Sequence, residues 1–106
     1  MEGIRLIKTT VAEVCRELGI KVDEVILFGS RARGDFRKDS DWDILIITER
    51  DLDWRERLRL SGEIRKRLVK RGMPVDVLII SREKLERLKN DPGYVYRYAL
   101  SEGIRV

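Results

Sequence analysis

Residues 25–47 read VILFGSRARGDFRKDSDWDILII, and the reading of this stretch decides the fold. Val25, Ile26, Leu27 and Phe28 form a short apolar run bounded by turn signals, which suits a strand covered on both faces. Gly29-Ser30 then opens a short helical turn, with Ser30 as its cap and Gly34 as its stop. Residues 35–40 are a polar loop. Trp42, Ile44, Leu45, Ile46, Ile47 and Thr48 form a second strand, with Asp41 and Asp43 at its mouth.

Working outward, Ile4, Ile7, Val11, Val14 and Leu18 recur at steps of three and four and predict a helix over residues 3–18, stopped by Gly19. On the other side, Asp51 or Asp53 caps a long helix to about Arg71. Leu58, Leu60, Ile64, Leu68 and Val69 mark its apolar side, and its many charges suit a solvated face with i,i+4 pairs. Gly72 stops it, Pro74 introduces a third strand over residues 75–80, and Ser81 starts a further helix. Asp91-Pro92 has the form of a helix start, and a last short helix runs to about Glu102, before Gly103.

The expected architecture is therefore α/β (α+β), in the order α-β-α-β-α-β-α-α, over a single domain spanning residues 1–106. The long helix between strands two and three has the length of a parallel crossover. For Gly29-Ser30 to meet Asp41 and Asp43, strands one and two must run antiparallel. For Asp76, near the start of strand three, to join them, strands two and three must be parallel. A mixed three-stranded sheet flanked by helices satisfies both conditions.

Asp41 and Asp43 are two apart on a strand, so their carboxylates leave the same face and repel each other. A hard divalent ion resolves that repulsion, because Mg²⁺ takes one or two carboxylates and completes its octahedron with water and phosphate oxygens. With Asp76 as a third ligand, three carboxylates could hold two ions, the arrangement that stabilises attacking and leaving oxygens in an in-line phosphoryl displacement. A charge within the apolar run of residues 75–80 also lacks an obvious structural excuse, since an unpaired buried carboxylate is costly. Gly29 permits close backbone approach, the N–H groups of the following helix favour an anion, and Ser30 adds a hydroxyl donor. Arg31 and Arg33, beside the turn, could reach a triphosphate with bidentate geometry. Taken singly, a Gly-Ser turn is a common loop, an Asp-x-Asp a common strand end, and these arginines common surface charges; the combination is what is specific.

Composition excludes much else. There is no His, hence no Ser-His-Asp triad and no HExxH zinc site. Cys15 is alone and falls in a helical pattern, where it reads as a small core residue. Charged residues reach 40%, against the usual ~25%, with no Gln and Asn90 as the only Asn, a profile that fits a thermophile. No apolar run reaches the length of a membrane span and the chain does not open on a signal peptide, so a cytoplasmic protein is expected. The net charge of +4 comes without a basic stripe interleaved with stacking aromatics, so direct nucleic-acid binding is not expected.

Gly29-Ser30, ten residues, then Asp41-Trp42-Asp43 resembles the GSx10DxD signature of the DNA polymerase β nucleotidyltransferase superfamily. The run FGSRARGDFRKDSDWDILI resembles the minimal nucleotidyltransferase (MNT) domains, and PVDVLII matches where they place a third carboxylate. Trp42 is bulkier than that family leads one to expect between the two aspartates.

The resemblance implies that Asp41, Asp43 and Asp76 bind Mg²⁺ ions that align the α-phosphate of ATP, and that Gly29 and Ser30 hold the triphosphate. Asp76 would also accept the proton of an incoming hydroxyl. The acceptor would arrive on a separate helical partner, a HEPN-domain toxin, and AMP would pass to its tyrosine, with this chain as antitoxin. Two alternatives stay open: a steric antitoxin with a vestigial site, and the nucleotide-binding subunit of a small-molecule nucleotidyltransferase of the antibiotic-modifying type. Tyr94, Tyr96 and Tyr98 read either as packing of the last helix or as a partner contact.

Overall fold

The computed structural model describes residues 2–91 and 95–106. Its elements are α1 (Glu2–Leu18), β1 (Val22–Phe28), α2 (Ser30–Arg33), β2 (Trp42–Thr48), α3 (Trp54–Val69), β3 (Val75–Ser81), α4 (Arg82–Leu88), α5 (Val95–Glu102) and β4 (Ile104–Arg105). The sheet order is β3-β2-β1-β4, with β1 antiparallel to β2 and β2 parallel to β3. The mixed sheet is thus as the sequence predicts for its three long strands.

The fourth strand is a correction to the three expected. Two residues carry no periodic signal, and β4 exists because Ile104 and Arg105 pair with Leu27 and Ile26. Gly103 allows that return: a Cβ there would strike the Ile26 side chain and the Ala99 carbonyl. The start signature at Asp91-Pro92 falls partly outside the described residues, as does Tyr94.

β2 is central, and from Ile44 to Thr48 every residue is buried, as expected of a strand covered on both faces. Alternation sorts the sheet into two cores. Leu27, Ile44, Ile46, Val75 and Val77 face α1 and α3, meeting Ile7, Val11 and Val14 of the first and Leu60, Ile64 and Leu68 of the second. Ile26, Phe28, Leu45, Ile47 and Ile80 face the other way, toward Leu85 of α4 and Ala99 of α5. Cys15 lies in the first core, where burial pushes its thiol up to about 11, in keeping with a packing residue rather than a reactive one.

The apolar side of α3 is narrower than the sequence suggests. Leu60, Ile64 and Leu68 repeat every four residues and are fully buried, whereas Leu58 and Val69 stand off that row and are 65% and 57% exposed. Asp53 rather than Asp51 is the cap. Its carboxylate accepts from the Glu56 N–H at 2.8 Å, while Glu56 accepts from the Asp53 N–H at 3.1 Å, a complete capping box. Asp53→Ala should therefore lower stability by about 1 kcal/mol, read as a shifted urea midpoint at unchanged slope.

Candidate active site

The strand register builds the site. Phe28, the last residue of β1, is paired with Asp43, and Asp43 is paired with Asp76 on β3. One row across the sheet therefore ends β1 beside the two carboxylates, and the Gly29-Ser30 turn follows directly from it. Asp43 and Asp76 alternate with Trp42 and with Val75 and Val77, which face the α1/α3 core, so both carboxylates lie on the α4/α5 face. Phe28, Gly29, Ser30, Arg33, Asp43, Asp76, Leu78, Val95 and Tyr98 line a cleft of about 540 Å³. Asp41 precedes β2 and is exposed, outside that lining, though its charge is felt by Asp43.

Gly29 is fitted to this place. It has φ 73° and ψ −160°, a conformation that only glycine adopts readily, and a Cβ on it would enter the Asp43 carboxylate. The turn backbone thus lies against the acid. Gly29, rather than Ser30, is the N-cap of α2, with no side-chain capping bond, and Ser30 is the first helical residue. Gly34, with φ 87° and its N–H on the Ser30 carbonyl at 2.9 Å, ends the turn as predicted. The leading N–H groups of such a turn have no intrahelical acceptors.

The two arginines part company. Arg33 lines the cleft and donates to the Tyr98 hydroxyl at 2.9 Å and to Asp35 at 3.3 Å. Arg31, expected at the triphosphate, is turned elsewhere. Its guanidinium lies between the Phe36 and Trp42 rings, 4.3 and 4.5 Å from their centroids, and donates to the carbonyls of Lys38 and Ser40. Two residues apart on a helix are about 200° apart around its axis, so one faces the cleft while the other ties down the loop. Trp42 is likewise no part of the cleft wall. It is buried on the opposite face, against Gly3, where a Cβ would have no room.

Asp76 is not buried: its side chain is 58% exposed and paired with Arg65 at 3.3 Å. The cost of a buried charge does not apply, and its position beside Asp43 is what matters. Arg65 and Tyr98 are the site neighbours that sequence reasoning did not assign. Arg65 reaches Asp76 only through the crossover of α3 onto β3, which leaves no local pattern.

Asp43 is half-buried, and its carboxyl lies above the usual carboxylate range. Burial is the main cause, followed by the charges of Asp76 and Asp41, with Arg33 opposing them. Between the ordinary value and the raised one, the folded chain holds more protons than the unfolded chain. Stability from this group therefore falls as pH rises through that window, and the penalty persists at neutral pH. Without divalent ions, Asp43→Asn should melt above the wild type at neutral pH, with the difference closing on acidification; melting curves over a pH series check this.

The donor set suits a hard divalent ion. It consists of carboxylate oxygens held under self-repulsion, beside a backbone turn that leaves room for a ligand. Among the described residues the acids do not close into a three-ligand cluster. An open site of this kind is what Mg²⁺ uses when water and phosphate oxygens complete its shell.

A family model described as a nucleotidyltransferase domain matches residues 7–106. A Methanocaldococcus jannaschii protein named "putative protein adenylyltransferase" is 47% identical over 49 residues, 46% of this chain and 50% of that protein. The match thus spans half the length of that relative. A second protein of that name, from the same organism, is 35% identical over 83 residues, 78% of this chain and 76% of its own length. Among solved structures, a tri-AMPylated Shewanella oneidensis HEPN toxin in complex with MNT antitoxin matches with a TM-score of 0.59 and 19% identity, over 95% of this chain and 69% of the matched chain. At that identity the likeness concerns the fold. No helix among the described residues is long and apolar enough to cross a membrane.

Proposed function

The chain belongs to the nucleotidyltransferase domain family, and from that premise we propose that it moves AMP from ATP to a tyrosine of a HEPN-domain toxin partner, as the antitoxin of the pair. The observation that carries this reading is the row Phe28–Asp43–Asp76, which sets two carboxylates beside the Gly29-Ser30 turn. The relatives named as protein adenylyltransferases support the reaction class, and the complex of MNT antitoxin with AMPylated HEPN toxin supports the partner. We read residues 1–106 as one such domain.

Asp43 and Asp76, with Asp41 beside them, would hold Mg²⁺. When bound, the ion neutralises the phosphate oxygens and the charge that develops on attack. The residues of the chain do the rest. The Gly29 backbone and the N–H groups opening α2 receive the triphosphate, and the Ser30 hydroxyl donates to it. Arg33, on the cleft wall, offsets its charge. Asp76 accepts the proton of the incoming hydroxyl, for which its exposure is suitable: an acceptor on another molecule can approach it. Arg31 is assigned to loop support in place of phosphate binding.

The test is direct. The protein, ATP labelled on its α-phosphate, Mg²⁺ and the HEPN-domain partner are incubated together, and label is sought on a partner tyrosine. Label with the wild type and none with Asp41→Ala is the expected result. A partner that is neutralised yet unlabelled would point instead to steric masking.

A further inference from the structure

Tyr98 stands in the cleft without a part in the reaction just described. It lines the same cleft as the Gly29-Ser30 turn and the two aspartates, and the residue is 46% exposed. Its oxygen accepts from Arg33 Nη1 at 2.9 Å, and the Glu102 carboxylate, one turn further along α5, lies 3.5 Å from that same nitrogen. The guanidinium thus fixes a hydroxyl in the cleft and gathers beside it a carboxylate that can take its proton. Tyr96, by contrast, lines a groove with Thr48, Ile80 and Ser81 at the far ends of β2 and β3, away from the acids. Ala99, the next residue after Tyr98, is fully buried and anchors α5 on the sheet, so the presentation of Tyr98 is fixed by packing.

We propose that Tyr98 is itself an acceptor: in the absence of its partner the chain adenylylates its own Tyr98. The inference rests on the nucleotidyl-transfer reading above. In the step, a bond forms between Tyr98 Oη and the α-phosphorus of ATP. The bond from that phosphorus to the oxygen bridging to the β-phosphate breaks, and pyrophosphate leaves with its electron pair. The phenolic proton passes to Glu102 and from there to water. The product places an adenylyl group in the cleft that the next ATP requires, so the reaction stops at one group per chain.

The purified full chain, without partner, is incubated with Mg²⁺ and ATP labelled on the α-phosphate, then followed by intact mass and peptide mapping. The expected result is a single added adenylyl group on Tyr98, a rate constant independent of protein concentration, and loss of the label in both Tyr98→Phe and Asp43→Asn. Label on Ser30, Tyr94 or Tyr96 overturns the proposal, as does a rate constant that grows with protein concentration. Were the wild type to label the HEPN-domain partner and never itself, the proposal would fall while the function stands. Were it to label neither, the function would fall with it.

Discussion

Asp43→Asn is expected to lower AMP transfer by about three orders of magnitude, or about 4 kcal/mol in the barrier, in a chain that folds as well as the wild type or better. The substitution keeps the size of the side chain and removes the charge. Asp43 sits in the middle of the row, paired with Phe28 on one side and Asp76 on the other, so no neighbour can take its place. Its carboxyl is raised by burial first and by the neighbouring acids second, a cost that the folded chain carries. The same change should thus abolish transfer and relieve folding, which separates a functional loss from a structural one. Single-turnover transfer rates set beside melting curves with and without Mg²⁺ provide the check: Mg²⁺ should raise the melting point of the wild type and not that of the variant. A variant that keeps even a tenth of wild-type transfer would remove Asp43 from the metal site.

Gly29→Ala carries the second large effect, and it acts on both stability and rate. The backbone conformation alone costs a non-glycine residue about 1–3 kcal/mol. The new Cβ must also displace the Asp43 carboxylate, since the two would overlap. A displacement of this kind at a reacting centre is worth about a hundredfold in rate. Gly34→Ala is the matched control, because Gly34 has φ 87° and open space around its missing Cβ. It should lose stability by about 1 kcal/mol without the loss of rate. Urea midpoints and transfer rates on the two variants decide the matter, and equal rates would mean that the close approach of turn and acid has no catalytic meaning.

The fold was legible because its signals are local. The step of three and four in Ile7, Val11 and Val14, the unbroken apolar run of β2 and the glycine at 34 each depend on a few neighbouring residues. The mixed pairing was also legible, since only one arrangement of three strands brings the Gly29-Ser30 turn, Asp41, Asp43 and Asp76 to one end. What escaped depends on direction around an axis or on distant partners. Arg31 and Arg33 look alike in the sequence, and only the turn of α2 shows that one stacks on Trp42 while the other enters the cleft. Leu58 was placed on the apolar side of α3 and yet faces water. Tyr98 enters the site through α5, from a part of the chain that no motif connects to residues 25–47. β4 is too short to leave any pattern.

The parallel pairing of β2 with β3 has a consequence for how the molecule comes into being. Asp43 and Asp76 become neighbours only after the whole of α3 has crossed over the sheet, a non-local closure of the kind that folds late. The antiparallel pair β1 and β2 can form first, carrying Gly29 and Asp43 together while the third acid is still distant. A nascent or partly refolded chain would hold the turn with Asp41 and Asp43, and no competent centre. In a refolding experiment, transfer should therefore return with amide protection in β3 rather than with the earlier protection of β1, so that the chemistry switches on only as β3 is laid down.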